Sequence, residues 1–196
     1  MTIGTLILAA GESSRLGEPK QLLEKNGQPL VRHMAQLAID LNAGPVAVIV
    51  GANAEAIRAA IDDLKVFVLP NPDWQTGMAS SLKVGVELLE KTFPEAILVL
   101  LTDQPYVTRA LVEQLIETAT SSHKAIVASE YGDVLGVPML FRPEYFDALK
   151  SLTGDTGARK LVQNHPDDVV GVPFAEGNID LDTPEDVAKW REGLNL

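Results

Sequence analysis

Leu6-Ile7-Leu8-Ala9-Ala10-Gly11-Glu12-Ser13-Ser14-Arg15-Leu16-Gly17-Glu18-Pro19-Lys20 is the stretch on which the reading of the whole chain turns. Its first residues are continuously apolar, the pattern of a parallel strand buried on both faces. The run then breaks into a loop with two glycines, two serines, an arginine and a lysine. Glycines let backbone N–H groups converge on an anion, and Arg15 and Lys20 add charge that neutral donors lack. Such a loop at the carboxyl edge of a sheet is how an open α/β fold binds phosphate, and we expect a triphosphate here. The plain alternative is a strand-to-loop corner with solvated charges. The spacing fits neither G-x-x-x-x-G-K-[ST] nor G-x-G-x-x-G, so a different nucleotide loop is required.

Downstream, strand and helix signals alternate. Leu30, Met34, Leu37 and Leu41 recur at helical spacing and stop near Asn42 and Gly44; Val46 to Val50 is a β-branched run. Asn53 is placed to cap a short helix carrying Ile57 and Ile61, and Lys65 to Leu69 reads as a third strand. Between Asn71 and Leu82 a turn-rich segment feeds a helix. Either Trp74 is a core anchor and a serine caps that helix, or Gly77 and a hydroxyl stand beside a base or ribose.

Ala96 to Leu101 is the most apolar run and is expected as a central strand. Asp103 then lies at its carboxyl end, where its hard oxygens suit Mg²⁺ alongside substrate phosphates; the alternative is a helix-start residue before Pro105. Thr108 is expected to cap a helix, Lys124 to Ala128 to form a strand, and Glu130 to Phe141 to give short paired strands. Pro143 then opens a helix that ends near Leu149. In the second glycine-containing loop, Asp155 or Thr156 is expected as a cap, although the adjacent cations Arg159 and Lys160 also suit phosphate. Val169 to Val172 is a late strand, and Thr183, Pro184 and Asp186 form a near-capping box before a helix burying Val187 and Trp190. Asp180 and Asp182 alternate with apolar neighbours and so share a face, as a metal contact or as a solvated strand edge.

Composition narrows the function classes. With 196 residues, 46% of them apolar, and no internal repeat, the chain suits one domain. Without cysteine there is no disulfide or thiolate chemistry, and three scattered histidines do not suggest zinc. A net charge of −11 with no basic run argues against nucleic acid and anionic membrane, and no apolar run approaches about 18 residues. A cytoplasmic protein is expected.

Four ordered motifs carry a resemblance over essentially the whole chain: Leu8-Ala9-Ala10-Gly11-x-Ser13-x-Arg15-x-Gly17-x-Pro19-Lys20, Asp103-Gln104-Pro105, Gly154-Asp155-x-Gly157-Ala158-Arg159 and Asp180-x-Asp182-Thr183-Pro184-Glu185-Asp186. In these the chain resembles the MobA-like nucleotidyltransferases, and within them the molybdenum cofactor cytidylyltransferases. The resemblance implies a three-layer, Rossmann-like α/β fold of the nucleotide-diphospho-sugar transferase type. Its sheet would be mostly parallel and twisted, with a small antiparallel addition. It implies a single domain over 1–196, with an NTP-binding half of about 1–107 and an acceptor-binding half of about 108–196. It also implies Mg²⁺-dependent transfer of CMP from CTP to a phosphate of molybdopterin, with pyrophosphate released.

By the same resemblance Arg15, Lys20 and Asp103 are catalytic. Leu8, Ala9, Ala10, Gly11, Ser13, Gly77 and Ser81 join those three at the nucleotide. Asp103 and Asp180 hold the metal, with Asp182 as second choice, and Gly136, Asp155 and Arg159 meet the acceptor. Ala10, in place of the glycine common in the guanylyl branch, points to CTP. One departure concerns the acceptor: Val137 stands where the cytidylyltransferases carry the histidine of Gly-His-Pro. Two other readings stay open, a sugar phosphate or other phosphorylated metabolite as acceptor, and a non-catalytic nucleotide-binding or chaperone partner of a molybdoenzyme.

Overall fold

The computed structural model describes residues 1–194. In chain order, β1 (Ile3–Ala9) leads to a small hairpin of β2 (Glu24–Lys25) and β3 (Gln28–Pro29). There follow α1 (Leu30–Asp40), β4 (Val46–Val50), α2 (Ala54–Ala59), β5 (Phe67–Pro70), α3 (Met78–Leu89) and β6 (Ala96–Leu101). The second half runs through α4 (Arg109–Ser121), β7 (Ile126–Tyr131), β8 (Val134–Phe141), α5 (Phe146–Lys150), α6 (Arg159–Asn164), β9 (Val169–Pro173) and α7 (Pro184–Leu194).

Seven strands form one sheet in the order β5-β4-β1-β6-β8-β7-β9. All run the same way except β8, which is antiparallel to both its neighbours. The continuous apolar runs take the centre because helices cover both faces there. Side chains alternate across β1: Ile7 faces a layer with Val31, Met34, Leu111 and Leu115, and Leu6 faces one with Leu82, Val86 and Phe146. Burial of each such side chain contributes about 1.5–3 kcal/mol, and truncation of one, such as Leu98→Ala, would cost about 2–5 kcal/mol.

The strands at Val46–Val50 and Ala96–Leu101 end where their apolar runs end. The third strand begins two residues later than its run, at Phe67, and β7 reaches Tyr131 rather than stopping at Ala128. The antiparallel pairing expected between Glu130 and Phe141 is present: the end of β7 turns into β8, which is one long strand rather than several short ones and inserts between β6 and β7. Its irregular sequence has a structural cause. Ala128 pairs with Met139 but Ser129 pairs with Gly136, so the register slips past Val137 and Pro138, where proline offers no ladder donor.

Cap expectations divide in the same local way. Thr108 accepts from Leu111 N, and Thr183 and Asp186 exchange a full capping box, Thr183 N donating to Asp186 Oδ2 at 3.0 Å and Asp186 N to Thr183 Oγ1 at 3.2 Å. Asn53 occupies the cap position of α2 without a side-chain bond, since its φ of −116° and ψ of 37° lie outside the extended conformation that turns a cap side chain inward. No serine caps α3, which starts from Gly77. Asp155 and Thr156 do not cap α6, whose first residue lies beyond their reach at Arg159.

A separate small cluster sets the position of the C-terminal segment. Leu181, Val187 and Trp190 pack on Leu16, Leu23 and Leu30, pinning α7 and the strand-like segment before it against the loop that follows β1. Among the described residues no helix is long and apolar enough to cross a membrane.

Candidate active site

A cavity of about 310 Å³ opens at the carboxyl ends of β1 and β6. Of the residues expected at the nucleotide, Leu8, Ala10, Gly11, Lys20, Gly77, Ser81 and Asp103 line it, and so does Asp155 from the acceptor set. Ala9 is buried behind it as part of β1. Ser13 and Arg15 stand outside: Ser13 Oγ accepts from Lys20 N at 3.1 Å, and the Arg15 side chain is 73% exposed.

Lys20 is the electrostatic centre. Its ammonium donates to Asp103 Oδ2 at 2.5 Å and to Asp182 Oδ1 at 2.9 Å, while Arg15 Nη2 donates to Asp182 Oδ2 at 2.7 Å. Burial alone would pull the lysine pKa down, but the two carboxylates outweigh it and hold Lys20 above the ordinary lysine range. Burial pushes Asp182 up, and Lys20 and Arg15 more than reverse it, so that its carboxyl lies below the usual value. The approach of three distant segments has a backbone cause as well: Leu181 N donates to Asp103 O at 3.1 Å, which seats the Asp180–Asp182 segment on the end of β6.

Asp180 differs from its neighbour. The residue as a whole is solvent-exposed, yet desolvation of its carboxylate and then the like charges of Asp103 and Asp182 push it up to about 6, with Lys20 opposing. A carboxylate so placed gains from an added cation. Asp103 Oδ1 is likewise buried with no hydrogen-bond partner. Among the described residues no three carboxylates or imidazoles gather into a self-sufficient metal cage. One or two carboxylates plus substrate phosphates is how Mg²⁺ is usually held, so the free oxygen of Asp103 and the strained charge of Asp180 fit such an ion. Asp182, with both oxygens already on cations, fits it less well.

Residues not singled out from sequence shape this nucleotide side. Buried Gln21 donates through Nε2 to Gly11 O at 2.9 Å and Ala9 O at 3.3 Å, bracketing Ala10. Buried Asn71 donates to Ser80 Oγ and Ser81 Oγ at 2.8 and 2.9 Å, fixing the start of α3. Because Ser81 Oγ accepts from Asn71, its own proton is left for another acceptor. Trp74, for which one reading is a core anchor, is half-buried on the cavity wall instead, packed so closely on Gly51 after β4 that a methyl group there would fall 2.8 Å from its Cβ. Asn71, set between two prolines, carried a turn signal in the sequence; Gln21 carried none.

The side of the cleft expected to meet the acceptor is built on close backbone contacts. Gly77 adopts φ +112°, and a methyl group there would fall 2.2 Å from Gly154 C, so only glycine lets the 154–158 loop lie on the start of α3. Ala79 N then donates to Gly154 O at 3.1 Å. Arg159 begins α6 and is exposed. Gly136 lies beneath the Tyr131 hydroxyl rather than on the cavity. Val137 packs partly into the core and gives its carbonyl to Gln104 Nε2 at 3.1 Å. Tyr131 is half-buried. Desolvation and then Asp180 raise its pKa, with Arg159 opposing.

This geometry has counterparts among known proteins. A family model described as the MobA-like NTP transferase domain matches residues 5–169. Nicotine blue oxidoreductase of Paenarthrobacter nicotinovorans is 31% identical over 92% of this chain and 92% of its own. Molybdenum cofactor guanylyltransferase of Rhodobacter capsulatus is 28% identical over 99% and 97%. The crystal structure of Rv0371c from Mycobacterium tuberculosis H37Rv superimposes with a TM-score of 0.86 at 30% identity, over 98% of each chain. Its manganese complex gives 0.82 at 27%, over 98% of this chain and 99% of that one. With a family match across most of its length and a nucleotidyltransferase sheet beneath it, the chain belongs to the MobA-like NTP transferases.

Proposed function

We propose that the protein is a nucleotidyltransferase that uses Mg²⁺ to move CMP from CTP to a phosphate of molybdopterin. The observation that carries this is Lys20 at the cavity, flanked by Asp103 with an unpartnered buried oxygen. In this reading one domain divides the work, NTP on the half of about 1–107 and acceptor on about 108–196, with Asp180 reaching back across the cleft. Support for the acceptor comes from the guanylyltransferase relative, and for a divalent metal from the manganese complex of Rv0371c. Support for a pyrimidine base rests on Ala10.

An acceptor phosphate is already largely ionised near neutral pH, its second pKa being about 6, so its oxygen attacks without a general base. A bond forms from that oxygen to the α-phosphorus, the bond from the α-phosphorus to the β-phosphate's bridging oxygen breaks, and pyrophosphate leaves. Lys20 offers its charge to the phosphates in a partly closed cleft, where a contact is worth several times the roughly 1 kcal/mol it gains in water. Arg15 closes from the outer side, and Ser81 presents its free proton to the base. Mg²⁺ on Asp103 and Asp180, when bound, supplies charge stabilisation to phosphoryl oxygens.

Pyrophosphate release is the test, measured for CTP, GTP, ATP and UTP against molybdopterin and a panel of sugar phosphates. The highest kcat/KM is expected for CTP with molybdopterin, with loss of turnover in EDTA. A sugar phosphate that outruns molybdopterin, or release from no pair, would defeat the assignment. A second reading has one observation behind it, the 31% identity to nicotine blue oxidoreductase. Redox turnover of nicotine blue, without pyrophosphate release and indifferent to EDTA, would favour that redox reading.

A further inference from the structure

Tyr131 ends β7 and so stands on the same carboxyl edge of the sheet as the loops carrying Ala10 and Asp103. Two glycines from separate segments make room for it. A methyl group at Gly136 would fall 1.8 Å from the Tyr131 hydroxyl oxygen, and one at Gly177 would fall 2.2 Å from its Cδ1. Phe174 meets the ring edge-on with centroids 6.5 Å apart.

One side chain fastens both glycine segments. Buried Gln104 donates through Nε2 to Val137 O at 3.1 Å and to Gly177 O at 3.3 Å. It directly follows Asp103, so the turn that presents the metal-side carboxylate also builds the seat of the phenol. The half-buried Tyr131 makes no hydrogen bond through its hydroxyl among the described residues and stands in the fields of Asp180 and Arg159. A seated donor with no protein acceptor, in the field of a cation that has no ion-pair partner among the described residues, is suited to an incoming phosphate.

We propose that Tyr131 is an acceptor-binding residue, its phenol donating to the acceptor phosphate beside Arg159 and so aiming the attacking oxygen. The inference rests on the nucleotidyl-transfer reading above. It also adds a polar group near Val137, whose own side chain packs partly into the core.

Tyr131→Phe removes only the hydroxyl and keeps the ring that fills the seat. Phenyl phosphate serves as the phosphomonoester probe, titrated by NMR into the protein with Mg²⁺ and a non-hydrolysable CTP analogue. The variant is expected to weaken probe binding about five- to tenfold, the scale of one hydrogen bond to a charged group, while affinity for the CTP analogue moves less than about twofold. In turnover the same variant raises acceptor KM by that factor and leaves NTP KM unchanged. Equal probe affinity in both proteins, or no probe binding to the unaltered protein, overturns the inference. If the unaltered protein turns over no acceptor, the nucleotidyl-transfer reading fails and the titration still decides Tyr131.

Discussion

Lys20 and Arg15, in the loop after β1, end on carboxylates 83 to 167 residues further along the chain, whereas Arg159, in the glycine loop before α6, ends on none among the described residues. The first loop is charge-balanced before any ligand arrives. On the proposed reading, a triphosphate entering there takes Lys20 and Arg15 from Asp182, and because those cations are already balanced, its own charge calls for a metal ion. On the proposed acceptor wall a single phosphate would meet a guanidinium and a phenol with nothing to displace. The difference would separate a preassembled nucleotide side from an acceptor side completed by its ligand.

The largest expected effects would break the first half of that contrast. Lys20→Ala or Asp103→Ala should lower turnover by at least about 10²-fold, the scale of losing one preorganised electrostatic contact. Arg159→Ala should instead raise acceptor KM with little change in NTP KM. Pyrophosphate release, with circular dichroism to verify folding, gives both numbers. Near-normal turnover in folded Lys20→Ala would remove the lysine from the chemistry.

How much of this was legible in the sequence follows the same division. β1, β4 and β6 announce themselves because strands covered on both faces are apolar throughout, and their ends place Ala10 and Asp103 at one edge. The junction of Lys20 with Asp182 is not legible in spacing. It depends on Trp190 and Leu181 packing on Leu16 and on one backbone bond from Leu181 to Asp103. β8 is misread because Gly136 and Pro138 interrupt its alternation at the place where the ladder slips. Tyr131 escapes notice for a simpler reason: a lone aromatic has no period. Gln104 belongs to the Asp103-Gln104-Pro105 motif, but its own role lies in what is folded around it. Gly77 was read for its closeness to a base, while its positive φ and its contact with Gly154 also make it the hinge point of the two loops.

A middle-sized effect sharpens the roles of the two late aspartates. Asp180→Asn removes a desolvated charge that a cation would relieve and should raise the Mg²⁺ concentration for half-maximal activity about tenfold, on the scale of losing one hydrogen-bonded charge contact. Asp182→Asn should act in the opposite sense on the nucleotide. It releases Lys20 and Arg15 from a competitor whose pairing is partly exposed and worth at most about 1 kcal/mol, so NTP should bind up to about fivefold more tightly. Metal titrations and NTP titrations on the two variants read these separately. If Asp182→Asn is the variant that loses its metal response, the assignments exchange places.

The smallest effect concerns what holds the acceptor half together. Apolar packing runs through both halves, and in the second Asp168, just before β9, adds two polar ties through its carboxylate: it accepts from Ala125 N at 3.2 Å and from Tyr145 Oη at 2.9 Å. The Ala125 N–H and then the Tyr145 hydroxyl hold its carboxyl below the usual range, against some desolvation. A folded-state pKa below the unfolded value of about 3.9 means stability that is fully present above that value and is lost as pH falls through the folded pKa. Because the carboxylate is largely screened by solvent, Asp168→Asn should lower Tm at pH 7 by no more than about 1–2 °C and flatten the decline of Tm below about pH 4. Thermal melts of both proteins across that range provide the measurement. Parallel curves would mean that the carboxylate's bonds add nothing to the folded state, and the segments it joins would then be held by the apolar packing around them.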